Sequence, residues 1–307
     1  MARCDTSCRT SCRRCGDFGS RAERKPDLLN IEVTTGIFRK AFQNFIKRRR
    51  ALGIEYDGSA FCGWQIQPDM PSVQATLEDA VGRFLAAPVS LICAGRTDTG
   101  VHATHQVVSL DTEAVRPERN WVRGVNTHLP PTVAVLWARA VPDDFHARFD
   151  ATARTYEYWL YNHAVRSPVY AKRAGWVWRP LEVDLMRRGA ACLLGTHDFS
   201  SFRAAECQAK TPVRTIESLE IVRKGRLVGL RITANAFLHH MVRNIVGTLV
   251  YVGTGRERPE WVREVLEARS RAAAAPTFSP DGLYLTGVRY PGVDIPQTGM
   301  SPFGFAG

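Results

Sequence analysis

The chain has 307 residues, of which 45% are hydrophobic, so it can bury one large core or two of ordinary size. Its formal net charge is +11, but residues 1–50 hold thirteen Lys and Arg against five Asp and Glu, a surplus of +8. The rest is only mildly basic, so bulk charge alone does not indicate a nucleic-acid-binding protein, and no apolar stretch is long enough for a membrane span.

Residues 1–46 are polar, rich in arginine and without clear periodicity. Acidic residues interrupt the first thirty positions, so they lack the apolar core of a signal peptide, and we expect a cytoplasmic protein. Cysteines at positions 4, 8, 12 and 15 lack the paired C-x2-C spacing of a zinc ribbon. We interpret residues 1–46 as a disordered, basic, Cys-rich extension, with a metal-dependent nucleic-acid factor built on these thiols as the alternative.

The next hundred residues predict a first subdomain, residues 47–146. A strand begins at Ala51 and ends in the turn Asp57-Gly58-Ser59. Ser72 is a good N-cap for a helix that closes near Pro88, and a short buried strand follows over residues 89–93. A Gly-containing loop over residues 95–103 then precedes a strand at 106–110, a helix and a strand at 133–138.

The character of the sequence changes near residues 145–150, where we place a domain junction. The second subdomain, residues 147–292, opens with an aromatic-rich strand at 154–161 and continues with a helix over 184–194. Residues 219–222 and 227–233 predict a hairpin, and further helices follow over 236–252 and from Pro259. Residues 293–307 are rich in Gly and Pro and predict a flexible tail. The irregular alternation of strands and helices favours an α+β fold with antiparallel sheet.

The loop at residues 95–103 is the most informative segment for function. Asp98 would be displayed on a turn between two strands, with Arg96 two positions earlier to keep the carboxylate ionised. An Arg-x-Asp sequence alone would be an ordinary Asp/Gly turn. The full string over residues 94–103, AGRTDTGVHA, is far more specific.

This string resembles the active-site motif of the tRNA pseudouridine synthase A family. Further blocks similar to the family follow in the same order: residues 52–65, ARTYEY at 153–158, HDF at 197–199, FLHHMVRNIVG at 237–247 and PDGL at 280–283. The chain departs from the family at Thr104-His105, where a small pair is usual. The family also starts near Lys47, so residues 1–46 inherit no function from the resemblance.

The resemblance implies the pseudouridine synthase fold: two similar subdomains whose antiparallel sheets join across a central RNA-binding cleft, with helices outside. It implies isomerisation of uridines 38, 39 and 40 in the anticodon arm of tRNA, by base flipping and without a cofactor. Family members act as homodimers. A catalytically silent tRNA-binding protein on the same fold is the alternative, although such a protein should have lost a residue of the site.

The resemblance also assigns roles to individual residues. Asp98 is the catalytic carboxylate, Arg243 its positive partner, and Tyr156 stacks on the target base and assists proton removal. Arg96 fills the space that the flipped nucleotide leaves. Further basic residues are candidate phosphate contacts in the cleft: Arg123, Arg154, Arg203, Lys210 and Arg214.

Four histidines invite a metal-site interpretation, which the spacing does not favour. His102 and His105 lack an acidic or thiol partner at ligand spacing, and His239 and His240 are adjacent on a predicted helix, where neighbouring side chains point apart. We therefore predict no metal, and structural hydrogen bonds for these imidazoles.

Overall fold

The computed structural model describes residues 48–305, and the predicted extension over 1–46 lies outside this range. Ten strands form one sheet: β1 (Arg48–Tyr56), β2 (Ile92–Cys93), β3 (His102–Thr112), β4 (Val133–Ala140), β5 (Ala153–Asn162), β6 (Gly175–Val177), β7 (Gly195–Asp198), β8 (Val213–Lys224), β9 (Leu227–Ala234) and β10 (Leu283–Arg289). The helices are α1 (Val73–Leu85), α2 (Glu118–Asn126), α3 (Val183–Ala190), α4 (Met241–Gly253) and α5 (Trp261–Ala268).

The sheet runs in the order β4-β1-β3-β10-β5-β9-β8-β7, with β2 beside β3 and β6 beside β5. Most pairs are antiparallel; β3 with β10 and β5 with β6 are parallel. The C-terminal strand β10 therefore lies between the two predicted halves and joins them in one sheet. The α+β class and the β8–β9 hairpin are confirmed.

Local sequence explains where the elements begin. The Ser72 hydroxyl accepts a hydrogen bond from the Ala75 amide at 3.2 Å, as an N-cap should, and α1 starts at the next residue. Strands β3 and β5 are buried along nearly their whole length because they lie in the middle of the sheet. Helices α1 and α2 pack together beside β4, and α3, α4 and α5 pack together in the second half.

The C-terminal residues pack on the sheet up to Phe305, which corrects the predicted flexible tail. Ile295 and Phe305 are buried, and the Ser301 hydroxyl lies 2.6 Å from an oxygen of Glu157, a buried carboxylate on β5. The ring of Phe305 lies edge-on to Trp159, with centroids 5.6 Å apart. Gly and Pro content misled the prediction, because a few apolar side chains are enough to bind a polar segment to a core.

None of the helices over residues 48–305 combines the length and the apolar character that crossing a bilayer requires.

Candidate active site

The loop between β2 and β3 presents Asp98 and is held by the segment that precedes α1. The Thr97 carbonyl accepts a hydrogen bond from the Trp64 amide at 2.9 Å, and the Thr97 and Tyr56 hydroxyls lie 2.8 Å apart. Gly63 has a φ of 96°, and a Cβ built there would lie 3.0 Å from the Thr97 carbonyl oxygen. A glycine is therefore needed for this close approach.

Three basic side chains from the second half surround the Asp98 carboxylate. Arg243 Nη1 lies 3.5 Å from Oδ2. His239 Nε2 lies 3.3 Å from Oδ1, and His240 Nε2 lies 3.4 Å from Oδ2. The Asp98 side chain keeps a quarter of its surface exposed (25%), so the carboxylate is both partnered and open to a substrate.

Hydrogen bonds with a neighbouring segment hold the Arg243 side chain in place beside Asp98. It stands in the first turn of α4, and its Nε donates to the Phe278 carbonyl at 2.8 Å, while the Phe278 amide donates back to the Arg243 carbonyl at 3.3 Å. Only 14% of its side chain is exposed. Arg243 therefore points inward, and the guanidinium places a fixed positive charge beside Asp98.

The histidine pair corrects two predictions. Helix α4 begins at Met241 rather than at residue 236, because His240 adopts a left-handed conformation with φ 61° and ψ 7° at the N-cap. The two imidazoles consequently lie side by side, with ring centroids 4.0 Å apart, and do not point apart as they would on a helix. They contact an acidic residue distant in sequence, which helical spacing could not reveal.

Tyr156 projects from β5 into the same cavity. Its ring packs edge-on against Phe237, with centroids 5.0 Å apart, and a Cβ built on Gly95 would lie 3.7 Å from its hydroxyl. Burial raises the pKa of the phenol above its ordinary value, and the negative charge of Asp98 raises it further. Tyr156 therefore stays protonated at neutral pH, next to the loop that carries Asp98.

The other two histidines differ from each other. His102 is tied structurally, as predicted: its Nδ1 accepts from the Gly58 amide at 3.1 Å, and its Nε2 lies 2.8 Å from the Lys172 carbonyl oxygen. His105 is fully buried, and neither ring nitrogen has a hydrogen-bond partner among residues 48–305, contrary to the prediction. Burial lowers the pKa of His105 to about 4, so the imidazole is neutral.

A cavity of about 1420 Å³ connects Asp98, Tyr156, His239, His240 and Arg243. Both halves of the chain line it, with Asp98, Arg96 and Trp64 from the first and Tyr156 and Arg243 from the second. Both apolar and polar side chains line its walls, and the cavity is large enough for a nucleoside with its flanking backbone. The predicted catalytic residues thus meet in one cleft between the halves.

The predicted phosphate contacts fall into two groups. Arg96 and Lys210 are exposed, line the cavity, and form no hydrogen bond or ion pair with another described residue. Arg123 is exposed on α2 and does not line the cavity. Arg148, which the sequence analysis did not single out, is exposed at the cavity wall in the segment between β4 and β5.

Arg154, Arg203 and Arg214 use their guanidinium groups on backbone carbonyls. Arg154 donates to the carbonyls of Ala94, Arg148, Ala151 and Asn235 at 2.6–3.0 Å, so it ties the start of the Asp98 loop to the second half. Arg203 holds the carbonyls of Cys207 and Ala209, and Arg214 those of Thr211 and Val213. These arginines shape the cleft rather than offer open charges.

Known proteins are similar to this chain over most of its length. The family model described as tRNA pseudouridine synthase matches residues 53–150 and 190–291. The protein named tRNA pseudouridine synthase A from Paraburkholderia phytofirmans is 56% identical, covering 83% of this chain and 96% of that protein. Its namesake from Bordetella petrii is 54% identical, covering 84% and 99%.

Among solved structures, that of the Cbf5-Nop10-Gar1 complex aligns with 77% of this chain and 48% of its own, at 12% identity and a TM-score of 0.35. At that distance it adds nothing to the match with the family model. The family model confirms the resemblance found in the sequence, and so do the two relatives, which align with this chain over almost their whole length. The chain belongs to the tRNA pseudouridine synthase family.

Proposed function

We propose that the chain isomerises uridines 38, 39 and 40 of the tRNA anticodon arm to pseudouridine. Membership of the family and the names of its close relatives support this activity. The observation that carries it is the meeting of Asp98, Tyr156 and Arg243 in one cleft, from opposite halves of the chain. A silent binding protein would not need this arrangement, so the enzyme is favoured.

The reaction exchanges one ribose–base bond for another. The C1′–N1 bond breaks, a C1′–C5 bond forms, C5 loses its proton and N1 gains one. The reaction needs no net oxidation, hydrolysis or energy source, so the chain's own side chains can supply the chemistry. The Asp98 carboxylate is the nucleophile, and it attacks either the ribose carbon or the uracil ring; both routes are compatible with its position.

Arg243 and Tyr156 have different roles in this reaction. RNA binding removes water from the Asp98 carboxylate, and the positive charge of Arg243 offsets this loss. The nucleophile therefore stays charged when RNA covers the cleft. Tyr156 offers a ring for stacking and a hydroxyl that can relay the proton leaving C5. Because its raised pKa keeps this hydroxyl protonated before reaction, it must release its own proton, which N1 can ultimately take up, as it accepts the one from C5.

The target uridine must leave its helix or loop to reach Asp98. Flipping a base costs about a few kcal/mol, which contacts with the extruded nucleotide must offset. Arg96 stands at the exposed edge of the Asp98 loop, where its side chain can fill the vacated space. Lys210 and Arg148, also exposed at the cleft, can neutralise flanking phosphates. Recognition by shape suits three neighbouring targets.

The active form is a homodimer acting in the cytoplasm. Support for dimerisation comes from one surface segment that exposes four large apolar side chains: Val165, Val169, Trp176 and Trp178. Several exposed large apolar side chains within one segment are typical of interfaces. Light scattering of the wild type and of Trp178→Glu tests it, because a charge introduced into an apolar contact should produce monomers.

Purified protein and an unmodified tRNA transcript test the activity directly. Pseudouridine should form at positions 38–40, mapped by base-specific chemical modification. Asp98→Asn should keep the fold and tRNA binding but form no product, since the amide is nearly isosteric and a far poorer nucleophile. Bound tRNA without pseudouridine in the wild type, or turnover of Asp98→Asn near the wild-type rate, would refute the proposal.

A further inference from the structure

The histidine pair beside Asp98 has a geometry that the isomerisation does not require. His239 Nε2 and His240 Nε2 lie 3.3 and 3.4 Å from the two carboxylate oxygens of Asp98. One ligating atom from each of the three residues can be chosen so that all lie within 4.8 Å of one another. Ligands of a tetrahedral zinc ion, each about 2.1 Å from the metal, stand about 3.4 Å apart.

The backbone is shaped to bring these atoms together. His240 is one of five non-glycine residues with positive φ, at 61°, over residues 48–305. A left-handed conformation costs a non-glycine residue of order 1–3 kcal/mol, and such residues cluster at functional sites. Here it turns two consecutive imidazoles to the same carboxylate, which a regular helix would separate by about 100°.

We propose that Asp98, His239 and His240 bind a zinc-class divalent cation, and that the bound cation blocks the active site. Two imidazoles and one carboxylate favour Zn²⁺, Co²⁺ or Ni²⁺ over Mg²⁺ and Ca²⁺, which prefer oxygen ligands. Three protein ligands leave a fourth position for water. The site opens to solvent, since His239 is 37% and His240 26% exposed, so a cation can enter without rearrangement.

The surroundings make this binding reversible. Arg243 brings a positive charge to within 3.5 Å of Asp98 and opposes a cation there. Among residues 48–305, Asp98 is the only group within reach of the ring nitrogens of His239 and His240, whereas resident metal sites orient their imidazoles with a further hydrogen-bond acceptor. The site is therefore a place of inhibition and not of a permanent cofactor. Inhibition rests on the proposed function, because it requires Asp98 to be the nucleophile.

Cobalt titration of the full-length protein tests binding without reference to activity. Four-coordinate Co²⁺ held by oxygen and nitrogen should give visible bands clearly stronger than those of hydrated Co²⁺, whereas Co²⁺ on the N-terminal cysteines would add an intense thiolate charge-transfer band in the near ultraviolet. The visible bands should disappear in His239→Gln and in Asp98→Asn. They should persist in His128→Gln, which alters an exposed histidine outside the cavity. Bands that survive both site variants, or signals from thiolate only, would overturn the proposal.

Inhibition is a separate measurement. Zn²⁺ should raise the apparent KM for tRNA with kcat unchanged, because metal and substrate compete for one carboxylate, and a chelator should reverse it. Mg²⁺ at the same concentration should have no such effect. The inhibition constant should rise at least about tenfold in His239→Gln. Protein that is inactive but still binds Co²⁺ at the site would count against the proposed function and not against the metal site. Noncompetitive inhibition by Zn²⁺ would overturn the blocking role. So would a His239→Gln variant that Zn²⁺ inhibits as strongly as the wild type.

Discussion

Arg243 and Asp98 come from opposite halves of the chain, and Nη1 of the arginine lies 3.5 Å from Oδ2 of the aspartate. The same guanidinium donates from Nε to the Phe278 carbonyl at 2.8 Å. The positive charge is therefore held in place by one end of the group and offered to the carboxylate by the other.

Arg243→Lys should lower kcat by roughly a hundredfold, a typical loss for one preorganised electrostatic contact. A lysine ammonium is a single point charge and cannot hold the Phe278 carbonyl and face Asp98 together. Single-turnover rates on a tRNA transcript measure the effect. Arg271→Lys, which alters an arginine bound to Ala274 and Thr277, is the matched control and should leave turnover near wild type. Equal rates for the two variants would contradict the role of Arg243.

Tyr156→Phe should bind tRNA normally and turn over about 10²–10⁴-fold more slowly, because the ring for stacking stays and the proton-transfer group goes. Filter binding and single-turnover kinetics separate the two effects. Tyr158→Phe, on the same strand, loses a hydrogen bond to the Ser279 carbonyl and should cost only about 1 kcal/mol of stability. An unchanged rate in Tyr156→Phe would restrict that residue to stacking.

Arg154→Met should reduce the free energy of unfolding by about 1–3 kcal/mol, because it leaves partly buried carbonyls without donors. The salt dependence of tRNA binding should stay unchanged, since this guanidinium is already occupied. Arg96→Met should instead reduce the slope of log K against log salt by about 1, as expected for a lost phosphate contact. If Arg154→Met also lowers the slope, the phosphate role predicted from the sequence is right after all.

His105 should make the protein less stable in mild acid. Its pKa is about 4 when folded and 6.5 when exposed, so the unfolded state binds the proton first as pH falls. Stability is lost as pH drops below 6.5, by about 2 kcal/mol between pH 7 and pH 5. Urea unfolding of His105→Leu should lack this part of the loss, and His128→Leu, at an exposed site, should keep it. A pH dependence shared by all three proteins would show that another group is responsible.

Local patterns were enough for much of the fold and for the nucleophile. Alternating and continuous apolar runs placed the main strands, Ser72 marked the start of α1, and the loop around Asp98 stood out by its motif. The order of strands was not predictable, because β10 pairs with β3 across most of the chain.

Interactions that depend on tertiary structure escaped the sequence analysis. The left-handed turn at His240 accompanies a contact with Asp98 and is not visible in helix propensity, so a helix was predicted through it. Arg154 reads as one more positive charge, yet its partners are carbonyls from three separate segments. The packing of Phe305 against Trp159 likewise could not be predicted, because it exists only once the sheet has folded.

The position of β10 has a consequence for the growing polypeptide. This strand bridges β3 and β5, yet it is synthesised long after both of them. Until β10 emerges, the loop that carries Asp98 and strand β5, which carries Tyr156, lack the strand that fixes the distance between them. Catalytic competence thus waits for β10 to emerge, and chains that stop short of it remain inert toward the many tRNAs that surround them.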